Sequence, residues 1–86
     1  MSTKEEIRHI IKTGDLKSWW IDANFIEVYW SQEDLPELSY YLFAFTTLKQ
    51  DLMSVKRITR RELPRRYKMK KMQPVILRLM RDLIKD

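Results

Sequence analysis

The sequence contains no cysteine, one glycine, three prolines and one histidine in 86 residues. Without cysteine there is no disulfide and no thiolate chemistry, which agrees with a reducing compartment. A single glycine excludes a glycine-rich phosphate loop. With so few prolines it also leaves little turn material for a many-stranded β fold. His9 has no second ligand at metal-binding spacing and no nucleophile beside it. Catalysis, cofactors and a bound metal are therefore not expected. Glu33, Asp34 and Glu37 cluster, but three acids at a helix start are explained by the helix dipole. Residues 1–12 are charged throughout, unlike a signal peptide. The longest uncharged apolar run, Leu38 to Leu48, falls short of the ~20 residues that span a bilayer. A protein that is not secreted is expected, cytoplasmic or, in a eukaryote, nuclear.

What is present argues for a folded chain. Hydrophobic residues make up 44% of the sequence and include three Trp, four Tyr and three Phe, too many for intrinsic disorder. The length fits one domain covering 1–86. Charge is unevenly distributed. Residues 1–55 carry five Lys/Arg against nine Asp/Glu, a balance of −4, and residues 56–86 carry twelve against three, a balance of +9. Such polarity calls for an anionic partner for the basic third.

Periodicity predicts mainly helix. Ser2-x-x-Glu5 and Thr3-x-x-Glu6 are capping boxes for a helix over Thr3 to Thr13, with Ile7, Ile10 and Ile11 on its apolar edge and Gly14 placed for a left-handed C-cap. Leu16, Trp19, Trp20, Ala23, Ile26 and Trp30 form a helical stripe, which predicts helix from Leu16 to about Ala23. The same stretch also alternates like strands, with Asp22-Ala23-Asn24 as a hairpin turn, and residues 25–30 fit either form. Leu35 to Ile58 holds the longest stripe: Leu38, Tyr41, Phe45, Leu48, Leu52 and Val55 recur at threes and fours, which predicts a central helix with Pro36 in its first turn. That stripe has the heptad spacing of a homodimer seam as well, although it runs for too few heptads and reads better as internal core. Trp19, Trp20, Trp30 and Tyr29 are expected in the core rather than as a stacking platform, because Asp22 and Glu27 beside them would repel phosphates. Met72, Ile76, Leu79, Met80 and Leu83 predict a last helix. The expected fold is a small single-domain helical bundle. The alternative is α+β with a short hairpin around residues 17–30.

The functional signal is the basic segment. Lys56, Arg57, Arg60, Arg61, Arg65, Arg66, Lys68, Lys70 and Lys71 fall within sixteen residues, with Glu62 the only acid among them. The acidic complement lies elsewhere in the chain, so helix-local i,i+4 pairing does not neutralise the run. Ile58, Leu63, Tyr67, Met69 and Met72 are interleaved and give it an apolar side. The layout from Ile58 to the C-terminus resembles a helix-turn-helix motif. Thr59 would open the first helix, Leu63 and Tyr67 would pack, Lys68-Met69-Lys70 would turn, and Met72 to Leu83 would be the second helix. It departs from that motif at Pro64 and Pro74 and lacks a turn glycine. The basic segment points to a non-catalytic, regulatory nucleic-acid-binding protein that uses a basic C-terminal helical face, with DNA favoured over RNA. Arg60, Arg61, Arg65, Arg66, Lys68, Lys70 and Lys71 would hold phosphates, with Arg78 and Arg81 lining the same groove. The alternative is an interaction module, an adaptor or inhibitor, that docks the basic face on an acidic protein.

Overall fold

The computed structural model describes residues 3–34, 37–64 and 74–85. The chain runs helix α1 (Lys4–Lys12), strands β1 (Gly14–Ile21), β2 (Phe25–Asp34), β3 (Glu37–Thr46) and β4 (Leu52–Ile58), a one-turn 3-10 helix (Arg60–Glu62), and helix α2 (Pro74–Leu83). The strands form one antiparallel sheet in the order β1-β2-β3-β4. The expected helical bundle is overturned: the architecture is a four-stranded meander with two short helices. No described helix is long and apolar enough to cross a membrane.

Both helices pack against one face of the sheet. Ile26, Val28 and Trp30 of β2 and Phe43 and Phe45 of β3 point to that face at alternate positions. Ile10 and Ile11 of α1 and Ile76, Leu79 and Met80 of α2 close over them. The apolar spacing read for α1 and α2 therefore holds, and Thr3 caps α1 by accepting from the Glu6 N–H at 3.2 Å. The cap at Ser2 and the position of Met72 lie outside the described residues.

Between the helices, periodicity was misleading for a physical reason. β2 and β3 are the inner strands, and the second face of the sheet carries its own apolar cluster, Tyr29, Tyr40 and Ile58, with Leu42 and Leu63 against it. A strand apolar on both faces reads as a continuous run and loses its period of two. The predicted central helix is in fact β3, a turn and β4. That turn has no glycine; Gln50 adopts φ 58° instead, a left-handed conformation that side chains other than Asn and Asp seldom take. The predicted helix from Leu16 to Ala23 is β1, which puts Trp19 on the helix-covered face and Trp20 on the other. The chain does turn at Asp22-Ala23-Asn24. There the Asp22 carboxylate accepts from the N–H groups of Asn24 (2.8 Å) and Phe25 (2.7 Å), a side-chain substitute for a turn glycine. Trp30 lies in the core as expected.

Gly14 opens β1 and does not have the positive φ of a left-handed C-cap. Its requirement is steric. A Cβ there would fall under 3.0 Å from the carbonyl oxygens of Ser31 and Ile10 and the indole nitrogen of Trp30. Each edge strand carries one extra residue relative to its neighbour, Lys17 in β1 and Met53 in β4. Such bulges spoil an edge as a template for further strands.

Two stability outcomes follow. Phe43 is fully buried, so Phe43→Ala is expected to lower unfolding free energy by about 3–5 kcal/mol in urea denaturation. Gly14→Ala is expected to lower the melting temperature although it adds only a methyl group. A flexible-linker glycine would give the opposite sign, through loss of unfolded-state entropy.

Candidate nucleic-acid interface

β4 delivers the first basic residues. Lys56 pairs with Leu42 and points to the face away from the helices, whereas Arg57 pairs with Tyr41 and points to the helix-covered side. Both are exposed. Arg57 donates from Nη2 to the buried Ser39 Oγ at 3.3 Å, which ties its guanidinium to β3. After Ile58 the chain leaves the sheet into the 3-10 turn, and Arg60 and Arg61 stand exposed on it.

Glu62, the one acid in the segment, is engaged locally. Its Oε1 accepts from the backbone N–H and the hydroxyl of Thr59, each at 3.1 Å. These two bonds, with the nearby Lys56 ammonium, hold its carboxyl below the usual carboxylate range. Thr59 and Glu62 thus form a capping box, but it starts a single 3-10 turn, and Leu63 is already extended. The first helix that a helix-turn-helix layout needs is absent over Arg60 to Leu63.

Of the predicted contact residues, Arg60 and Arg61 come together on this turn. Arg65, Arg66, Lys68, Lys70 and Lys71 lie outside the described residues, as do Tyr67 and the expected turn at Lys68-Met69-Lys70. Arg78 and Arg81 are exposed on α2. The Arg78 guanidinium donates to the Gln50 side-chain oxygen, in the turn between β3 and β4. Arg60 follows the other end of β4, a seven-residue strand that sets the two sites roughly 20 Å apart. The sequence had placed Lys56 and Arg57 at the end of a helix. Their grouping with Ser39 and Tyr40 depends on strand pairing, and only the dense aromatic and apolar content of residues 38–45 hinted at a strand there.

At the end of β4 a cleft of about 450 Å³ opens, lined by Ser39, Tyr40, Arg57, Ile58, Thr59 and Arg60, with Glu37 and Leu38 beside them. Among the described residues no group of three or more His, Cys, Asp or Glu is placed to hold a metal ion. No protein family, curated protein or solved structure matches this chain. Function is therefore to be read from the chemistry of these residues alone.

The carboxylates give a pH dependence with a definite sign. Asp22 is also held below the usual range, by the backbone N–H groups of Phe25 and then Asn24, and to a lesser degree by Trp20. A depressed carboxylate contributes stability that is complete above its unfolded-state pKa and lost as pH falls through the folded one. Thermal stability is expected to be level with respect to these two groups near neutral pH and to fall below about pH 4. Asp22→Asn should shrink that acid-side fall, as monitored by circular dichroism melts across pH.

Proposed function

We propose that this protein binds nucleic acid without catalysis, in a regulatory role, through the basic strip that leaves the end of β4. The observation that carries the proposal is the exposure of Lys56, Arg57, Arg60 and Arg61 in succession on β4 and the 3-10 turn. The single acid among them is occupied by Thr59. Arg65, Arg66, Lys68, Lys70 and Lys71 continue the strip in sequence and add to its positive charge. Phosphates are the ligand this composition suits, because guanidinium and ammonium groups pair with phosphate oxygens whatever the base sequence. Arg78 donates to Gln50 beyond the other end of β4, and Arg81 stands exposed on α2.

An acidic protein surface would meet the same charges, so the test must separate the two partners. Fluorescence titration with duplex and single-stranded oligonucleotides at several salt concentrations is expected to give a slope of log K against log[salt] of roughly −4 to −6, taking about −0.9 per phosphate neutralised on a duplex. Reversing Arg60 and Arg61 together to Glu should flatten the slope by about two units and weaken all sequences alike. Arg78→Glu should alter it far less. An absence of affinity for any nucleic acid at low salt, with partner capture surviving nuclease treatment, would leave the protein-docking alternative in its place.

A further inference from the structure

Resting on that reading, we infer that the cleft at the end of β4 is a nucleotide site, which takes one phosphorylated nucleotide of a nucleic-acid strand between Arg57 and Arg60.

Unequal strand lengths make the cleft. β3 pairs with β2 from Phe25↔Thr46 to Asp34↔Glu37, but with β4 only from Phe45↔Leu52 to Tyr40↔Ile58. Residues 37–39 therefore have a strand on one side and, among the described residues, none on the other. Successive residues of an antiparallel strand direct their backbone groups to opposite neighbours. At least one of the three thus presents an N–H and a C=O to the gap where β4 has ended. That is the donor–acceptor pair the edge of a base needs.

The side chains around the gap differ in what they can bind. Arg57 and Arg60 are exposed cations at its mouth. Ser39 Oγ accepts from Arg57, which leaves its own hydroxyl hydrogen to donate, whereas the Thr59 hydroxyl on the same wall is already given to Glu62. Two guanidinium groups with the Ser39 hydroxyl form a phosphate-binding set. Tyr40, Ile58 and the half-exposed Leu38 supply apolar surface that inorganic phosphate would not use. Glu37 accepts only; it disfavours a bare anion and suits the amino group of a base or a ribose hydroxyl. A volume of about 450 Å³ falls within the range of roughly 300–1,000 Å³ usual for small-molecule sites. Cation, hydroxyl, apolar wall and acceptor together match a nucleotide better than any one part of it.

The test is a heteronuclear NMR titration of the full chain with a nucleoside monophosphate. Parallel titrations use the unphosphorylated nucleoside, inorganic phosphate, and a dinucleoside whose single phosphate is internal. The monophosphate is expected to shift the backbone amides of 37–40 and 57–60, and the bare nucleoside to leave them in place. Arg57→Gln, and separately Arg60→Gln, should each weaken binding about tenfold, the loss of one charge-assisted hydrogen bond, with the rest of the spectrum unchanged. Arg60 lies outside the sheet, so its variant keeps the test sound if Arg57→Gln disturbs folding. Equal affinity for the dinucleoside assigns the site to internal phosphodiesters, and weaker affinity assigns it to a phosphorylated strand end. Shifts that avoid 37–40 and 57–60, or bare nucleoside or inorganic phosphate binding as tightly as the nucleotide, would overturn the proposal. Oligonucleotide binding with the expected salt slope but no shift at the cleft would sink the nucleotide site and leave the basic strip standing. Monophosphate binding without oligonucleotide affinity would do the reverse.

Discussion

The meeting of Trp30 with the end of α1 is the contact on which the arrangement of layers depends. The indole N–H of Trp30, in an inner strand, donates to the Ile10 carbonyl of α1 at 3.1 Å. The bond is buried, so its loss would leave two polar groups without water. It also fixes where α1 must stop, because Gly14 passes so close to the indole and to Ser31 that no side chain fits. Beside it the Gln32 side-chain nitrogen donates to the Thr13 hydroxyl at 2.9 Å. With the end of α1 fixed, Ile10 and Ile11 lie over the sheet beside α2. The only glycine in the chain is spent on this close approach rather than on a turn.

The cost of that economy appears in the turns. Neither described hairpin turn contains glycine. One is closed by the Asp22 carboxylate, the other by placing Gln50 at positive φ. The two turns are also tied together, since the Thr47 N–H and hydroxyl donate to the carbonyls of Asn24 and Asp22 at 3.0 Å each. This end of the sheet is closed by local hydrogen bonds. At the far end β4 stops short of β3, backbone groups are left facing a gap, and the basic residues begin. The two ends of the sheet thus have different chemistry, one sealed by hydrogen bonds and one lined with cations.

The charge division was legible because it needs no geometry: the order of Lys and Arg after Val55 shows it directly. The terminal helices were legible because each is amphipathic on one side only, so Ile7, Ile10 and Ile11, and Ile76, Leu79 and Met80, keep a helical period. The sheet was hidden. Tyr40, Leu42 and Ile58 pack on one face while Tyr41, Phe43 and Phe45 turn to the other, so the alternation that marks a strand was filled in on both sides.

The sequence by itself determined that the chain folds, that α1 opens on a hydroxyl cap at Ser2 or Thr3, that α2 buries one stripe, and where positive charge concentrates. These properties follow from composition and from neighbours a few residues apart. Only the tertiary structure decided that residues 14–58 form a sheet, that Arg57 meets Ser39, and that Arg78 stands apart from Arg60. Each of these depends on strand pairing, which brings Arg57 to Ser39 across eighteen positions of the chain. Such registers are fixed by which side chains fill the space under two helices and by where β4 runs out, and neither is a property of any local stretch.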